Sequence, residues 1–460
     1  MKCLLPLLCA FTLLQGCGGG NATSTPVNPA PSIASANTQK WMMQFGTGTV
    51  YTPPQSSLQF AGDHMAALVA APNGGVYAAG YTIGAFPTFI ANPNHIMQPY
   101  VAHFDNDGNQ TWLRQVSTSD HTVVRAASAD SAGNLYASGG TLGAFAGYSN
   151  DSHSIQAFLL KFASDGTQLW ARQFAINNLQ TQIYASVIDA SGTLFISGLL
   201  QPTSGQNFQN IFVAAVDPSN GSLLWSQVYG NNSIQNIGSL TVDGSGGLYL
   251  SGDTSGTFPG NATDLALAFV AKLKASDGSI QWTQLFSEIQ TQAYIATDSI
   301  AVAPDGDLVV GGALSSGFII VGQYASVDAK LFLCKLSSAT GDLLWQQTYS
   351  SGSGDQISSV QVLKNGSIYA AGVTNGTFNP AFTAHMQNLF LLKTDSSGRA
   401  VWVEQFGTGD IKNVQDVYES VHLAVDSSGD LLVGGATQGA YSGASNPSQA
   451  VEGFIGMFGN

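Results

Sequence analysis

Charge is scarce in this chain: Asp, Glu, Lys and Arg together make up 9% of its 460 residues. The 14 bases are outnumbered by 28 acids and form no cluster, which excludes a nucleic-acid binder, because neutralising phosphates takes grouped Lys and Arg. Cysteine is nearly absent as well. Of the 4 cysteines, Cys3 and Cys9 sit in the leading apolar stretch and Cys17 just behind it, which leaves Cys334 alone in the remainder. One thiol allows no internal disulfide, no CxxC redox pair and no multi-cysteine zinc site, and its strand-like neighbours "KLFLCKLSS" predict a buried structural thiol. Catalytic signatures are missing too: there is no H-E-x-x-H, no P-loop and no G-x-S-x-G elbow, and the 7 His form no His-x-His pair. The expectation is a protein that is not an enzyme and holds no metal and no cofactor.

Glycine is abundant instead, at 53 residues, beside an apolar fraction of 44%. That mixture suits many short strands joined by Gly-bearing turns and gives no support to long amphipathic helices. The first residues, "MKCLLPLLCAFTLLQGC", join Lys2 to an apolar run from Cys3 to Leu14 that is too short to span a bilayer. Residues 1–16 are therefore expected to be an export signal. Leu14-Gln15-Gly16-Cys17 resembles a bacterial lipobox, which implies that the Cys17 thiol is diacylated and becomes the mature start. Residues 17–38 then form a lipidated, disordered tether rich in Gly, Asn, Ser, Thr and Pro. Gly18 is not the Asp that retains some lipoproteins at the inner membrane, so the outer membrane of a Gram-negative bacterium is the expected location.

Residues 39–460 are periodic. Of the 7 Trp, at 41, 112, 170, 225, 282, 345 and 402, all but Trp41 follow a turn glycine by four residues, as in "DNDGNQTW" and "SATGDLLW". A second element recurs seven times, from "APNGGVYAAG" to "DSSGDLLVGG", with turn glycines at 74, 133, 192, 246, 306, 366 and 429, each followed six residues later by another glycine. An Asx side chain that caps its own backbone and a Gly at positive φ make each of these a tight hairpin. Each unit thus predicts four strands, in the first unit about 65–71, 75–81, 99–105 and 110–116. Four-stranded units repeated every 54 to 63 residues cannot bury their faces alone. Stacked radially they give an all-β, seven-bladed β-propeller of four-stranded antiparallel blades. The chain ends at "EGFIGMFGN", six residues after Phe454 and before any Trp, so the missing fourth strand of the last blade is expected to be "WMMQFG" at 41–46. Pairing of N-terminal and C-terminal strands would then close the ring. The Trp residues and the aromatics four residues on (Phe45, Phe174, Tyr229, Phe286, Tyr349, Phe406) are expected to fill the gaps between blades.

The repeated "W-x-x-x-F-G", "D-x-x-G-x-L-Y-x-S-G", "G-x-F-P" and "F-x-x-K" segments together resemble the bacterial SBBP-type seven-bladed propeller repeat over nearly all of residues 40–460. The resemblance implies an exported or surface-associated scaffold without one set catalytic activity. Copies depart from it: the Lys at 161, 272, 335 and 393 is His103 in the first unit and Ala215 in the third, which argues against a strictly repeated ligand site.

Function is expected on the rim opposite the tight hairpins, where the longer loops lie. Candidate ligand-binding residues there are Phe89, His95, Tyr148, His153, Tyr324, Phe382 and His385, unless those aromatics only pack their own loops. Asp63, Asp120, Asp298, Asp355 and Asp416 also fall near the inner-strand starts, where a converging ring of carboxylates would suit a cation, although solvated acids at low charge density are the plainer expectation. "DNDGN" at 105–109 is similar to the start of a calcium loop but lacks its distal Glu and lies in a hairpin turn. The leading expectation is a monomeric, membrane-anchored envelope lipoprotein that binds a protein or glycan partner and no nucleic acid. One alternative is an assembly factor similar to the propeller lipoprotein of outer-membrane β-barrel insertion, against which seven units near sixty residues count, since that family has eight shorter ones. The other is a quinone-cofactor dehydrogenase, whose usual adjacent Cys pair is missing.

Overall fold

The structure, a computed structural model, describes residues 39–49, 62–90, 95–202, 209–230, 235–254, 267–286, 294–315, 328–378, 387–406, 421–437, 439 and 450–459. The turns behave as their composition requires. In the hairpin at 130–134, Asp130 Oδ1 accepts the backbone N–H groups of Ala132 and Asn134 at 3.1 and 2.9 Å, and Gly133 takes φ 83°. The "DNDGN" turn does the same, Asp105 Oδ1 accepting from Asp107 and Asn109 at 3.0 and 2.8 Å. Those bonds favour the charged carboxylate and hold both aspartates below the usual range, although burial of Asp130 works the other way.

Among the described residues 28 strands lie between the turns, paired into seven four-stranded antiparallel sheets. The first blade runs Asp63–Ala70, Val76–Thr82, Gln98–Phe104, Gln110–Gln115, each end within two residues of expectation. In the last blade Gln39–Phe45 lies beside Glu452–Phe458, with Trp41 opposite Met457, followed by Leu431–Thr437 and His422–Val425. Chain start and chain end therefore complete one blade. The first strands of neighbouring blades pack together, and one apolar cluster fills each gap between blades. In the closing gap Met65, Leu68 and Phe104 of blade one meet Leu432, Ile455 and Met457 of blade seven, with Trp41, Met43 and Phe45 against them. Cys334 is buried between blades four and five, as expected.

The second glycine of the hairpin motif has a physical cause that spacing alone does not reveal. In the first six blades the first strand carries a bulge opposite it, for example between Met65 and Ala67, facing Gly80, and between Ile183 and Ala185, facing Gly198. The bulge pushes a carbonyl into the space a side chain would need: a Cβ on Gly80 would lie 1.8 Å from the His64 oxygen, and one on Gly198 2.1 Å from that of Gln182.

The tryptophans act as latches between blades. Trp112 Nε1 donates to the Ser164 carbonyl at 2.8 Å, Trp225 to Ala275 at 3.1 Å and Trp282 to Ser338 at 3.2 Å, in each case in the outer hairpin of the next blade. Each indole lies on that hairpin's glycine, so that a Cβ on Gly166, Gly278 or Gly341 would come within 2.8, 2.7 or 2.8 Å of the ring. The four-later aromatic can strengthen the latch: the Tyr229 and Tyr349 hydroxyls donate to the Gly278 and Gly398 carbonyls. The expected gap-filling holds, with one correction. Apart from Trp402, at 4% exposure, the indoles are only half-buried, because the outermost strand leaves one ring edge in solvent.

Candidate functional site

The two rims differ in how their polar groups are used. On the hairpin rim the backbone is consumed by turn caps and latches. Lys161 and Lys272, two of the recurring lysines, donate to the Pro218 and Ser338 carbonyls of the following blade at 3.0 Å, which explains the recurrence by a structural role.

On the opposite rim the second-to-third connections of blades one, two and six start from a plugged G-x-F segment. Phe86, Phe145 and Phe378 are buried at 4, 3 and 9% exposure and pack on Tyr100, Phe158 and Phe390. A glutamine of the outermost strand holds each plug in place. Gln173 Oε1 accepts the Phe145 N–H at 3.0 Å while its Nε2 donates to the Gly143 carbonyl at 2.9 Å. Gln115 does the same for Phe86 and Gly84, and Gln405 for Phe378 and Gly376. Sequence reasoning missed these glutamines, although their recurrence three residues after Trp was visible.

Beyond the plug the expected rim residues divide. Phe89 N–H donates to the Phe86 carbonyl and Tyr148 N–H to that of Phe145, both at 3.0 Å. This turn folds both rings back onto the apolar clusters of blades one and two, and Tyr148 Oη donates to the Ala171 carbonyl at 3.2 Å. Phe89 and Tyr148 thus pack their own loops, the second of the two expectations for these aromatics. His95 and His153 are exposed and take positive φ, 52° and 48°. Next to Phe89, Ile90 is 92% exposed, which sequence reasoning did not single out. Tyr324, Phe382 and His385 lie outside the described residues, as does Cys17.

Among the described residues these acids do not gather into a ring. Asp63 is fully buried and accepts from Thr47 N–H and Oγ1 and from Thr82 Oγ1; Asp355 repeats the arrangement with Ser351 and Thr374. Asp120 Oδ1 caps the His121 N–H at 2.7 Å, and Asp298 accepts from Gln356 Nε2 at 2.9 Å. Asp416 lies outside the described residues, among which no three metal-ligating side chains gather. These acids tie loops to blades. Loss of hydration pushes Asp63 up to about 6 despite its hydrogen bonds, and Asp298 likewise to about 6. Asp253, beside Asp298, is held well above the usual carboxylate range by burial and by that neighbouring charge.

Among solved structures the chain is similar to Sqt1 from Chaetomium thermophilum, at 11% identity and TM-score 0.44, over 88% of this chain and 87% of that one. It is similar also to an alpha-L-arabinanase from Penicillium chrysogenum, at 14% and 0.46, over 72 and 92%. A third is the quinohemoprotein alcohol dehydrogenase from Comamonas testosteroni, at 10% and 0.42, where the match covers 84% of this chain and spans 65% of the enzyme's length. No curated protein sequence matches. The family described as outer membrane protein assembly factor BamB matches residues 163–440, which takes in repeats from the second blade to the seventh. Seven long repeats were expected to count against that family, and the match overturns the objection: this chain is a seven-bladed member of the outer membrane protein assembly factor BamB family.

Proposed function

We propose that this protein is a lipid-anchored outer-membrane lipoprotein that works as a non-enzymatic scaffold, holding a protein partner on the loop-bearing rim. The observation that carries this reading is the contrast between the rims. Both rims engage carbonyls and carboxylates internally, but the loop-bearing rim also presents Ile90 at 92% exposure, and His95 there is exposed as well. Cys17 carries the lipid, residues 18–38 act as the tether, and the propeller works as a monomer without a cofactor. The SBBP-type resemblance fits the same role. A second, narrower reading is that the partner belongs to outer-membrane protein assembly, and the family match over residues 163–440 supports it.

A photo-crosslinking amino acid at position 90, in intact cells, tests the scaffold role against the same substitution at Ser245 on the hairpin rim. Discrete protein adducts are expected at 90 and none at 245. Equal labelling at the two sites, or none at either, refutes the rim assignment. Adducts at 90 to proteins outside outer-membrane assembly refute the narrower reading alone. Cys17→Ser should release the protein from the membrane fraction, and undiminished membrane association would refute the anchor.

A further inference from the structure

Across each blade, register places one side chain from the second, third and fourth strands in a row on the face turned to the next blade. Three blades carry the rows Tyr136–Lys161–Trp170, Tyr249–Lys272–Trp282 and Tyr369–Lys393–Trp402. Each lysine Nζ lies over its tyrosine ring, 4.9, 5.2 and 5.1 Å from the centroid. Blade one has Tyr77–His103–Trp112, with the Tyr77 ring 5.0 Å from the imidazole and its hydroxyl donating across the gap to the Gly133 carbonyl of blade two at 2.8 Å.

Blade five keeps this register but lacks the ring: its row is Val309–Lys335–Trp345. Lys335, without an aromatic beneath it, pairs with Asp305 and lies 3.6 Å from Asp307 of its own blade. A cavity of about 240 Å³ opens there between blades five and six, walled by Val309 and Lys335 on one side and by Val362, Gly366, Ile368 and Ser396 on the other. Gly366 is the hairpin glycine of blade six, the counterpart of Gly133 in blade two. The cavity therefore combines features that receive phenol rings in different rows: Val309, Val362 and Ile368 on its walls, a cation like those over the Tyr136 and Tyr249 rings, and a glycine carbonyl like the one that accepts from Tyr77. The Tyr136 and Tyr249 hydroxyls donate instead to Asp130 and Asp243 of their own turns, but blade five has Ala303 at that position, which leaves the carbonyl of the next blade as the acceptor.

We propose that the gap between blades five and six is a binding site for a small free phenol, whose ring takes the place of the missing tyrosine and whose hydroxyl donates to the Gly366 carbonyl. Val309 occupies the position from which a tyrosine side chain would enter, so the ligand is a ring without a bulky para substituent. A tyrosine side chain still attached to a protein backbone does not meet that condition.

Phenol itself is the probe, applied to the folded full-length protein and followed by ligand-observed NMR and by thermal shift. Saturable binding in the millimolar range or tighter is expected at concentrations up to about 10 mM, with a rise in Tm that follows mass action. Toluene, which lacks the hydroxyl, should bind at least about fivefold more weakly. Val309→Tyr rebuilds the row from within and should weaken phenol binding at least about tenfold while keeping or raising Tm. Should that variant fail to fold, Ser396→Trp, on the exposed turn that walls the same cavity, must weaken binding instead. Absence of phenol binding, equal binding of toluene, or unchanged affinity in the folded variants overturns the proposal. Tighter binding of N-acetyltyrosinamide than of phenol overturns the claim that the occupant is a free phenol.

Discussion

Removing the indole of Trp41 tests whether the ring depends on its chain ends. Its Nε1 donates to the Asn106 carbonyl at 2.8 Å, and its six-membered ring lies where a Cβ on Gly108 would approach to 3.0 Å. Cutting a fully buried Trp to Ala costs about 3 to 5 kcal/mol. Trp41 is only half-buried, so the expectation falls to about 2 to 3 kcal/mol, of which about 1 belongs to the hydrogen bond. Trp41→Phe, which keeps an aromatic ring but has no N–H, should lose about 1 kcal/mol. The assay is equilibrium urea unfolding followed by far-UV circular dichroism, with Trp225→Ala as reference. Trp225 makes the same latch, to Ala275 at 3.1 Å, within the continuous chain. If the terminal strand closes the ring, Trp41→Ala lowers the urea midpoint at least as far as Trp225→Ala does. A second arm uses Gly108→Ala, which costs about 1 to 2 kcal/mol for its φ of 82° and must also displace the indole. In the Trp41→Ala background the displacement cost vanishes, so the two changes should be non-additive. An unchanged midpoint for Trp41→Ala beside a shifted one for Trp225→Ala would refute the closure, and strict additivity with Gly108→Ala would refute the contact.

Three further expectations rest on other contacts. Asp298, whose ordinary value of 3.8 is pushed up to about 6, keeps its proton longer folded than unfolded, so its contribution to stability is present below about pH 4 and is lost as pH rises through 6. Asp298→Asn should therefore remove about 2 kcal/mol of the pH 4 to 7 dependence of the unfolding free energy, and an identical pH profile would refute its raised pKa. Gln173→Ala leaves the buried Phe145 N–H without its partner and the Gly143 carbonyl with only a 3.4 Å bond from Asn150, at a cost of about 2 kcal/mol, and should speed limited proteolysis at residues 146–154; unchanged cleavage would count against the plug. Gly198→Ala drives a Cβ to 2.1 Å from the Gln182 oxygen and should prevent soluble expression, whereas Gly246→Ala meets nothing within 4 Å and should cost only its φ strain, about 1 to 2 kcal/mol. Comparable soluble yields would refute the bulge account.

Repetition decides what can be read from this chain before any coordinates. Trp at fixed distance from glycine, seen again and again, revealed both hairpins, the blade count and even the clasp at Gln39–Phe45. The second glycine of the motif was visible but unexplained, because its cause is a carbonyl on the preceding strand, about 16 residues away in sequence, as between Gly80 and His64. Gln173 was overlooked for a similar reason: its partners Gly143 and Phe145 are 30 and 28 residues upstream. The rim was least legible. Its loops differ from copy to copy, and an aromatic such as Tyr148 in a polar stretch has the composition of an exposed anchor until its backbone bond to Phe145 turns it inward. Val309 is an opposite case, a departure within the repeat that matters only once register shows which row it interrupts.

The direction of the terminal strand has a consequence for how the molecule stands on a surface. Fourth strands start at the hairpin rim, and Gln39 lies opposite Phe458 at that same rim, with Lys40 paired to Asp430 of the neighbouring turn. Any chain preceding Gln39 therefore leaves from the hairpin side. With Cys17 lipidated as proposed, the tether pulls that side toward the bilayer, and the loops bearing Ile90 and His153 point outward from it. The clasp that completes the seventh blade would thus also orient the propeller, with its latched underside to the lipid and its variable loops toward incoming partners.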